Sequence, residues 1–321
     1  MALSKAIRAT AWGMVAAGLA APLLRKRVPA RPLAMQTVAF AAPLGMSVAL
    51  PRSRGRDVAV CALQMWAYLA AYKSPHDDEQ AQRERVHVAY PIRADKLIGL
   101  GQLPSVRLQR ALARYDADGR PRWRTLDRVL VWTHWSWFAV PHGSLAYILV
   151  RDRRRFARAA VLTYAVFDIG AACYWVLPTA PPWYAAQASE RGAPAEGAGA
   201  APVRRMMVEY GEYFWRDGWG SLYSVFGGNP LAAMPSLHFA TSMMAALLLA
   251  EVGPLAGALG TGYAIALGFA LVYLGEHYVV DLLAGAALTL AVRRAEPLAT
   301  PGLRRIGQVL GALEGIASAG G

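Results

Sequence analysis

The sequence predicts an all-α, polytopic integral membrane protein: a helical bundle of six core transmembrane helices preceded by one or two extra N-terminal apolar segments. Three observations carry that prediction. Of 321 residues, 55% are hydrophobic and only 17% are charged, too apolar a mixture for an ordinary soluble domain. The apolar residues gather in runs, several of them near the roughly 20 residues that cross a bilayer. The charges fall largely between those runs, and 34 Lys plus Arg against 21 Asp plus Glu leave a net charge of +13. In a soluble chain that excess would suggest nucleic acid. Here the basic residues flank apolar spans, so lipid headgroups and topology account for them and no nucleic-acid partner is expected.

In chain order, the segment 1–56 holds the N-terminal apolar segments. Thr10 to Leu24 is a short run between Lys5/Arg8 and Arg25-Lys26-Arg27, read equally as a signal-like segment, an interfacial helix or a span. Leu33 to Leu50 is a span candidate. After the basic turn Arg52 to Arg56 comes the core, 57–294, whose first crossing is Asp57 to Tyr72. Residues 73–128 are polar and basic, and Val106 to Arg114 mixes apolar residues and arginines at helical spacing, the pattern of an interfacial amphipathic helix. Val129 to Val150 is the next span, with Trp132, Trp135, Trp137 and Phe138 near its start, as suits a membrane interface. It also carries His134 and His142, eight residues apart. The loop Arg151 to Arg155 marks the cytoplasmic side, because short arginine-rich loops stay there. Phe156 to Leu177 crosses outward from it.

The segment 179–231 is then an extracytoplasmic loop. Its part Ala185 to Ala201 reads as flexible, and Val203 to Phe226 as aromatic and charged enough to fold back over the surface, as a lid or a substrate-entry element. Apolar runs after His238, from Leu255 to Leu274 and after Asp281 complete the crossings. Residues 295–321 form a cytoplasmic tail. Cys61 and Cys173 each lie inside an apolar stretch and read as packing residues, not as a disulfide or a metal pair.

Two short polar islands stand out: Met234-Pro235-Ser236-Leu237-His238 and Gly275-Glu276-His277-Tyr278-Val279-Val280-Asp281. Each sits where an apolar helix begins. The crossing Leu255 to Leu274, with the turn Glu251 to Pro254, returns the chain to the same face, so both islands lie on one side of the membrane, away from the cytoplasm. His277 and Asp281 share a helix face four residues apart, where a carboxylate can accept from one imidazole nitrogen and free the other as nucleophile or base. A helix-terminal histidine with an incidental aspartate is the competing reading. Pro235 and Ser236 suit a helix start, whose free N–H groups and positive dipole end favour an anion such as phosphate.

The two islands resemble the second and third signature motifs of the type 2 phosphatidic acid phosphatase superfamily. Asn229 to His238, His277 to Gly285 and the proline-rich Leu177 to Trp183 resemble more narrowly its branch of inositol phosphorylceramide synthases and their bacterial relatives. The resemblance covers roughly Arg93 to Val292. It implies a membrane phosphatase or phosphotransferase acting on a lipid-linked phosphate, in which His277 attacks phosphorus, Asp281 orients it and His238 protonates the departing alcohol. Water, or an alcohol or polyol acceptor, completes the reaction, and neither cofactor nor metal is implied.

The wider superfamily carries an arginine before the nucleophilic histidine, where this chain has Leu271 to Leu274, including Tyr273. Some relatives end the proline-rich segment in arginine, where this chain has Trp183. Arg204 and Arg205 are therefore the candidate phosphate cations, by charge and side of the membrane; juxtamembrane contact with lipid headgroups is the competing reading. Ser236, Leu237, Tyr273, Pro181, Trp183 and His134 complete the candidate substrate-binding set. Two other readings are a metal-dependent oxidase or hydrolase with His238, His277 and Asp281 as a two-His, one-carboxylate site, and a transporter or scaffold without chemistry. The expected location is a bacterial-type plasma membrane, with the site on the non-cytoplasmic face.

Overall fold

The computed structural model describes residues 1–25, 27, 32–74, 78–190, 203–226 and 228–319. Among these the chain folds into fifteen helices and no strand. The first three are α1 (Ala2–Leu24), α2 (Pro32–Ala49) and α3 (Arg54–Lys73). Short helices follow: α4 (Glu79–Arg85), α5 (Ala89–Ile98), α6 (Pro104–Leu112), α7 (Thr125–Trp135) and α8 (Ala139–Arg151). After α9 (Arg153–Val176) come α10 (Pro182–Glu190), α11 (Met206–Trp215) and α12 (Gly218–Phe226). The chain ends in α13 (Leu237–Ala250), α14 (Pro254–Tyr273) and the 40-residue α15 (Val279–Ser318).

Four of the described helices, α1, α2, α9 and α14, are long and apolar enough to cross a bilayer, and α13 is apolar but shorter. On α14 the residues Leu255, Leu259 and Ile265 are 72%, 68% and 67% exposed. A helix apolar on its outward face as well as its inward one matches lipid, not water, as its surroundings. The protein is an all-α, polytopic integral membrane protein.

The chain divides into two compact units, Met1–Asp77 with Val292–Gly321, and Asp78–Ala291. In the first, α1, α2 and α3 meet through Val15, Ala42 and Leu63. The segment Asp57 to Tyr72, expected to cross, forms α3, which packs in this unit and is not among the four described helices long and apolar enough to span. Arg56 pairs with Glu314 of the C-terminal segment at 3.2 Å, and Ala11, Val48 and Ala317 pack together.

The second unit carries both polar islands. Its long helices pack through residues such as Leu267, Leu271 and Leu282, buried between α14 and α15. The shorter helices form two further clusters. In one, α11 and α12 bury Met206, Met207, Tyr210 and Trp219 against Leu130 and Val131 of α7 and Tyr273 of α14. In the other, Ile92 of α5 packs with Val106 of α6, Ala185 and Ala186 of α10, Val203 and Tyr278. The segment expected to be flexible thus begins as helix α10, and its residues from 191 onward lie outside the described residues. Three connecting segments are tied by bridges at His87, Thr179 and Ala232.

One expected span is broken. Val129 to Val150 forms α7 and α8, with a tight turn at Ser136, Trp137 and Phe138 where Trp137 N bonds to His134 O at 3.0 Å and Val140 N to Trp137 O at 3.2 Å. The Ser136 hydroxyl donates to Thr133 O at 3.0 Å, the local competition by which serine interrupts a helix. The apolar pattern runs through this turn unaltered, so periodicity alone gave no sign of it.

Candidate functional site

The second island is shaped by the end of α14. Gly275 takes a left-handed φ of 80°, and Glu276 N and His277 N both return to Leu271 O, at 3.0 and 3.1 Å. This glycine-terminated helix end reverses the chain into His277. A Cβ at Gly275 would lie 2.8 Å from Val203 Cγ1 and against the Arg204 carbonyl, so the position is closed to side chains. Two residues past His277, α15 begins. Asp281, its third residue, accepts from Tyr278 N at 2.9 Å, half of a capping box. The same oxygen, Oδ2, lies 3.2 Å from His277 Nδ1. A carboxylate can only accept, so Nδ1–H is the donor and the lone pair of His277 rests on Nε2.

The first island is locked to the second through backbone. Ser236 caps α13 by accepting from Phe239 N, and its own N–H donates to Asp281 O at 2.9 Å. The Met234–Pro235 peptide is cis, and Tyr174 of α9 donates to Pro235 O at 2.7 Å. Close contact between α13 and α15 needs Gly285, where a Cβ would stand 2.6 Å from Ser236 O. Thr289 bonds to Ala240 O at 2.9 Å one turn further along. These ties place His238 Nδ1 at 3.1 Å from His277 Nε2. The result is a chain of hydrogen bonds, His238 to His277 to Asp281, with His277 4% exposed and Asp281 fully buried.

The turn between α7 and α8 brings two more rings to His238. Trp137 stands 4.2 Å away, centroid to centroid, and is fixed by Nε1–H donating to Thr241 Oγ1 at 2.9 Å. His134 stacks on His238 at 5.1 Å, and both its ring nitrogens are buried without a partner among the described residues. His142 instead bonds to Phe138 O and stacks on the Phe138 ring.

The two candidate cations separate. Arg205 pairs with Glu276, next to His277, at 3.1 Å, and its guanidinium lies 3.8 Å from the Trp183 ring centroid and 5.5 Å from that of Tyr223. Burial works against its charge, but Glu276 and Tyr223 outweigh this and hold its pKa above the ordinary arginine value. Arg204 turns to Glu209 and to the rings of Tyr115 and Trp123. Of the other candidates, Ser236 is the cap described above, and Leu237 points into the packing against Gly170. Tyr273 donates to Asp127 of α7 at 2.6 Å, deep in the core. Pro181 starts α10 by accepting from Tyr184 N and Ala185 N, which sets Trp183 under Arg205.

Three positions with structural work at the site fall outside the set drawn from the sequence. Gln109 of α6 accepts from Arg204 N at 3.0 Å and donates to Arg204 O and Tyr273 O, both at 2.9 Å, stapling the Arg204-Arg205 segment to the end of α14. Asp95 of α5 accepts from Val280 N at 2.9 Å. Trp137 reads in the sequence as one aromatic in an interfacial belt. Neither Gln109 nor Asp95 has a local sequence signal, because each serves a segment more than 90 residues away.

The His277 and His238 nitrogens face each other and Asp281 faces His277, so the three do not converge on one point in space. Among the described residues no group of three His, Cys, Asp or Glu side chains has the arrangement of a metal site.

Comparison with known proteins agrees with the motifs. The chain is 29% identical over 180 residues to the catalytic subunit aur1 of inositol phosphorylceramide synthase from Schizosaccharomyces pombe, covering 52% of this chain and 40% of that one. It is 29% identical over 170 residues to the phosphoinositol dihydroceramide synthase of Bacteroides thetaiotaomicron, covering 48% and 50%. To the inositol phosphorylceramide synthase of Candida albicans it is 30% identical over 171 residues, covering 49% and 34%. The chain thus spans half or less of the length of these relatives, and no solved structure matches it. The PAP2 superfamily pattern matches residues 123–294, more than half of the chain and the stretch holding both islands; the chain belongs to the PAP2 superfamily.

Proposed function

We propose that this protein is a membrane phosphotransferase or phosphatase that cleaves a lipid-linked phosphate through a phosphohistidine on His277, at the non-cytoplasmic face. The observation that carries this reading is the hydrogen-bonded series His238, His277, Asp281 at two adjoining helix starts. Asp281 holds Nδ1–H of His277 and leaves Nε2 as the nucleophile. As Nε2 bonds to phosphorus, the imidazole gains positive charge, which the buried Asp281 stabilises. His238, entering this step as the imidazolium beside the substrate phosphate, gives its Nδ1 proton to the leaving alcohol oxygen and is left neutral. In the second half-reaction the deprotonated His238 takes a proton from water or from an acceptor alcohol, whose oxygen displaces the phosphoryl group from His277.

Geometry adds a condition. A phosphorus about 3–3.5 Å from Nε2 in line for attack needs space that His238 Nδ1 occupies at 3.1 Å. Substrate must therefore part the two histidines, and the leaving oxygen comes to lie between them. The α13 helix start offers N–H groups and dipole to the phosphate. Arg205 is the proposed phosphate cation: it is one residue pair away from His277, and Trp183 and Tyr223 hold it flat. His134 is proposed to meet a polar group of the substrate, since its ring nitrogens have no protein partner.

The names of the relatives support an inositol phospholipid as phosphoryl donor and a ceramide-like alcohol as acceptor; the wider family supports hydrolysis. Orientation away from the cytoplasm rests on the arginine-rich turn Arg151 to Arg155. The test supplies purified protein in detergent, with chelator, a panel of lipid phosphates, isoprenoid phosphates and phosphatidylinositol, with and without ceramide or diacylglycerol. Turnover that disappears in His277→Ala and His238→Ala supports the reading. Turnover abolished by chelator, or retained in His277→Ala, overturns it.

A further inference from the structure

Asp95 belongs to α5, a short helix in the stretch the sequence marks as interfacial, and it lies far in sequence from either island. It is fully buried. Its Oδ1 accepts from Val280 N at 2.9 Å, and the neighbouring Val279 N–H also favours the charged carboxylate. The other oxygen, Oδ2, has no partner among the described residues, and no cation is paired with it. Burying an unpaired carboxylate is expensive, so its hydrogen bonds have to account for its presence. Both amides that face it belong to the first turn of α15.

That first turn needs them. A helix opens with four N–H groups that lack intrahelical acceptors. In an ordinary capping box the residue before the helix supplies an oxygen to the N2 or N3 amide, and the N3 acid reaches back to the cap's own amide. Here Asp281 at N3 fulfils the second half, through Tyr278 N. The cap position is Tyr278, whose hydroxyl is too remote to serve its own helix start, and Asp281 is also committed to His277. We infer that Asp95 is a positioning residue which completes the capping box from another element and thereby fixes the His277–Asp281 pair at the angle its chemistry requires.

The surroundings agree. Ile92, one turn before Asp95, is buried against Tyr278, Val106 and Val203, and Val280 packs on the same cluster, so α5 is anchored where its carboxylate is used. The titratable groups that act on Asp95 are Asp281 and Tyr278 from the α15 start. On neighbouring elements, Tyr90 of α5 bonds to Thr179, and Arg107 of α6 bonds to Gly99 O. Burial, reinforced by the charge of Asp281 and opposed by the two backbone N–H groups, pushes the Asp95 pKa up to about 6.

This inference rests on the proposed role of His277, so the experiment has one readout that needs turnover and one that does not. Asp95→Asn keeps an acceptor oxygen for Val280 N; Asp95→Ala removes it. Hydrogen exchange of the full-length protein in detergent is expected to show faster exchange over residues 277–284 in Asp95→Ala, near-native exchange there in Asp95→Asn, and unchanged exchange in α9 and α14 of both. With the preferred substrate, Asp95→Ala is expected to lose about 10²-fold in kcat, the cost of a displacement on the order of 1 Å at a reacting group, with KM held. Asp95→Asn should recover most of that loss at neutral pH. Native exchange over residues 277–284 in Asp95→Ala, or Asn and Ala variants equally impaired there, would overturn the inference. If the parent protein turns over no substrate, the proposed function fails while the exchange comparison still decides the role of Asp95.

Discussion

Gly285→Ala is the substitution whose consequence follows most directly from the packing of the two islands. The added methyl would stand 2.6 Å from the Ser236 carbonyl oxygen, where ordinary contact begins at 3.4 Å, so 0.8 Å must be found between two helix backbones. Sideways escape is limited, because Ala240 N and Ala240 Cβ already lie 3.4 and 3.5 Å from the same point. Neither partner is a flexible side chain. Overpacking of this kind costs about 1–3 kcal/mol, set against a gain of nearly 1 kcal/mol from replacing glycine within a helix. The displacement also opens the Ser236 N to Asp281 O bond, 2.9 Å, and the 3.1 Å approach of His238 to His277. Scaled from the roughly 10²-fold effect of a 1 Å misplacement, kcat should fall by about 10- to 100-fold. The assay is a thermal melt in detergent together with turnover of the preferred lipid phosphate. Gly262→Ala on α14, with nothing within 4 Å, is the reference. If Gly285→Ala matches Gly262→Ala in both melting and turnover, the contact does not set the geometry of the site.

Other substitutions probe the remaining parts. Arg205→Ala leaves Glu276, 9% exposed, without its cation, and should cost about 3–5 kcal/mol in a denaturant or thermal melt while raising KM; unchanged stability and KM would remove Arg205 from the phosphate site. His134→Phe keeps the stacking on His238 but removes nitrogens that satisfy nothing in the protein, so Tm should hold while kcat/KM drops at least about tenfold; full activity would show that substrate does not reach this ring. Because Asp95 binds its proton more tightly in the folded state, with a pKa of about 6 against 3.8 unfolded, its contribution is complete below 3.8 and is lost as pH rises through 6. Lowering pH from 7 to 5.5 should therefore raise the Tm of the parent relative to Asp95→Asn, and a slope of the opposite sign would contradict the burial of an unpaired carboxylate.

The parts of this protein legible in its sequence are those whose signal is local. Helices and their apolar faces follow from composition. The His277–Asp281 spacing announces that the two pair, though His277 stands two residues before α15 and the pair meets across the helix start, not along one helix face. Pro235-Ser236 announces a helix start, which the cap at Ser236 bears out. What the sequence does not state is whatever depends on distant partners. Leu237 and Tyr273 sit within or beside the motifs, yet their side chains face the packing on Gly170 and the bond to Asp127. Arg204 and Arg205 are adjacent and alike in charge; only the stapling of their segment by Gln109 sends one to Glu276 and the other to Glu209. The turn at Ser136 hides inside a continuous apolar run, because a membrane span and two helices broken over a half-buried tryptophan have the same composition.

The central claim is that His277 becomes covalently bonded to phosphorus, and the most direct measurement is rapid quenching of the working enzyme under alkaline conditions followed by peptide mass spectrometry. A phosphoryl group, acid-labile and base-stable, is expected on His277 of the working parent and is expected to be absent in His277→Ala together with all turnover. Turnover by the parent with no phosphoryl group trapped at His277, or turnover that survives in His277→Ala, would contradict it.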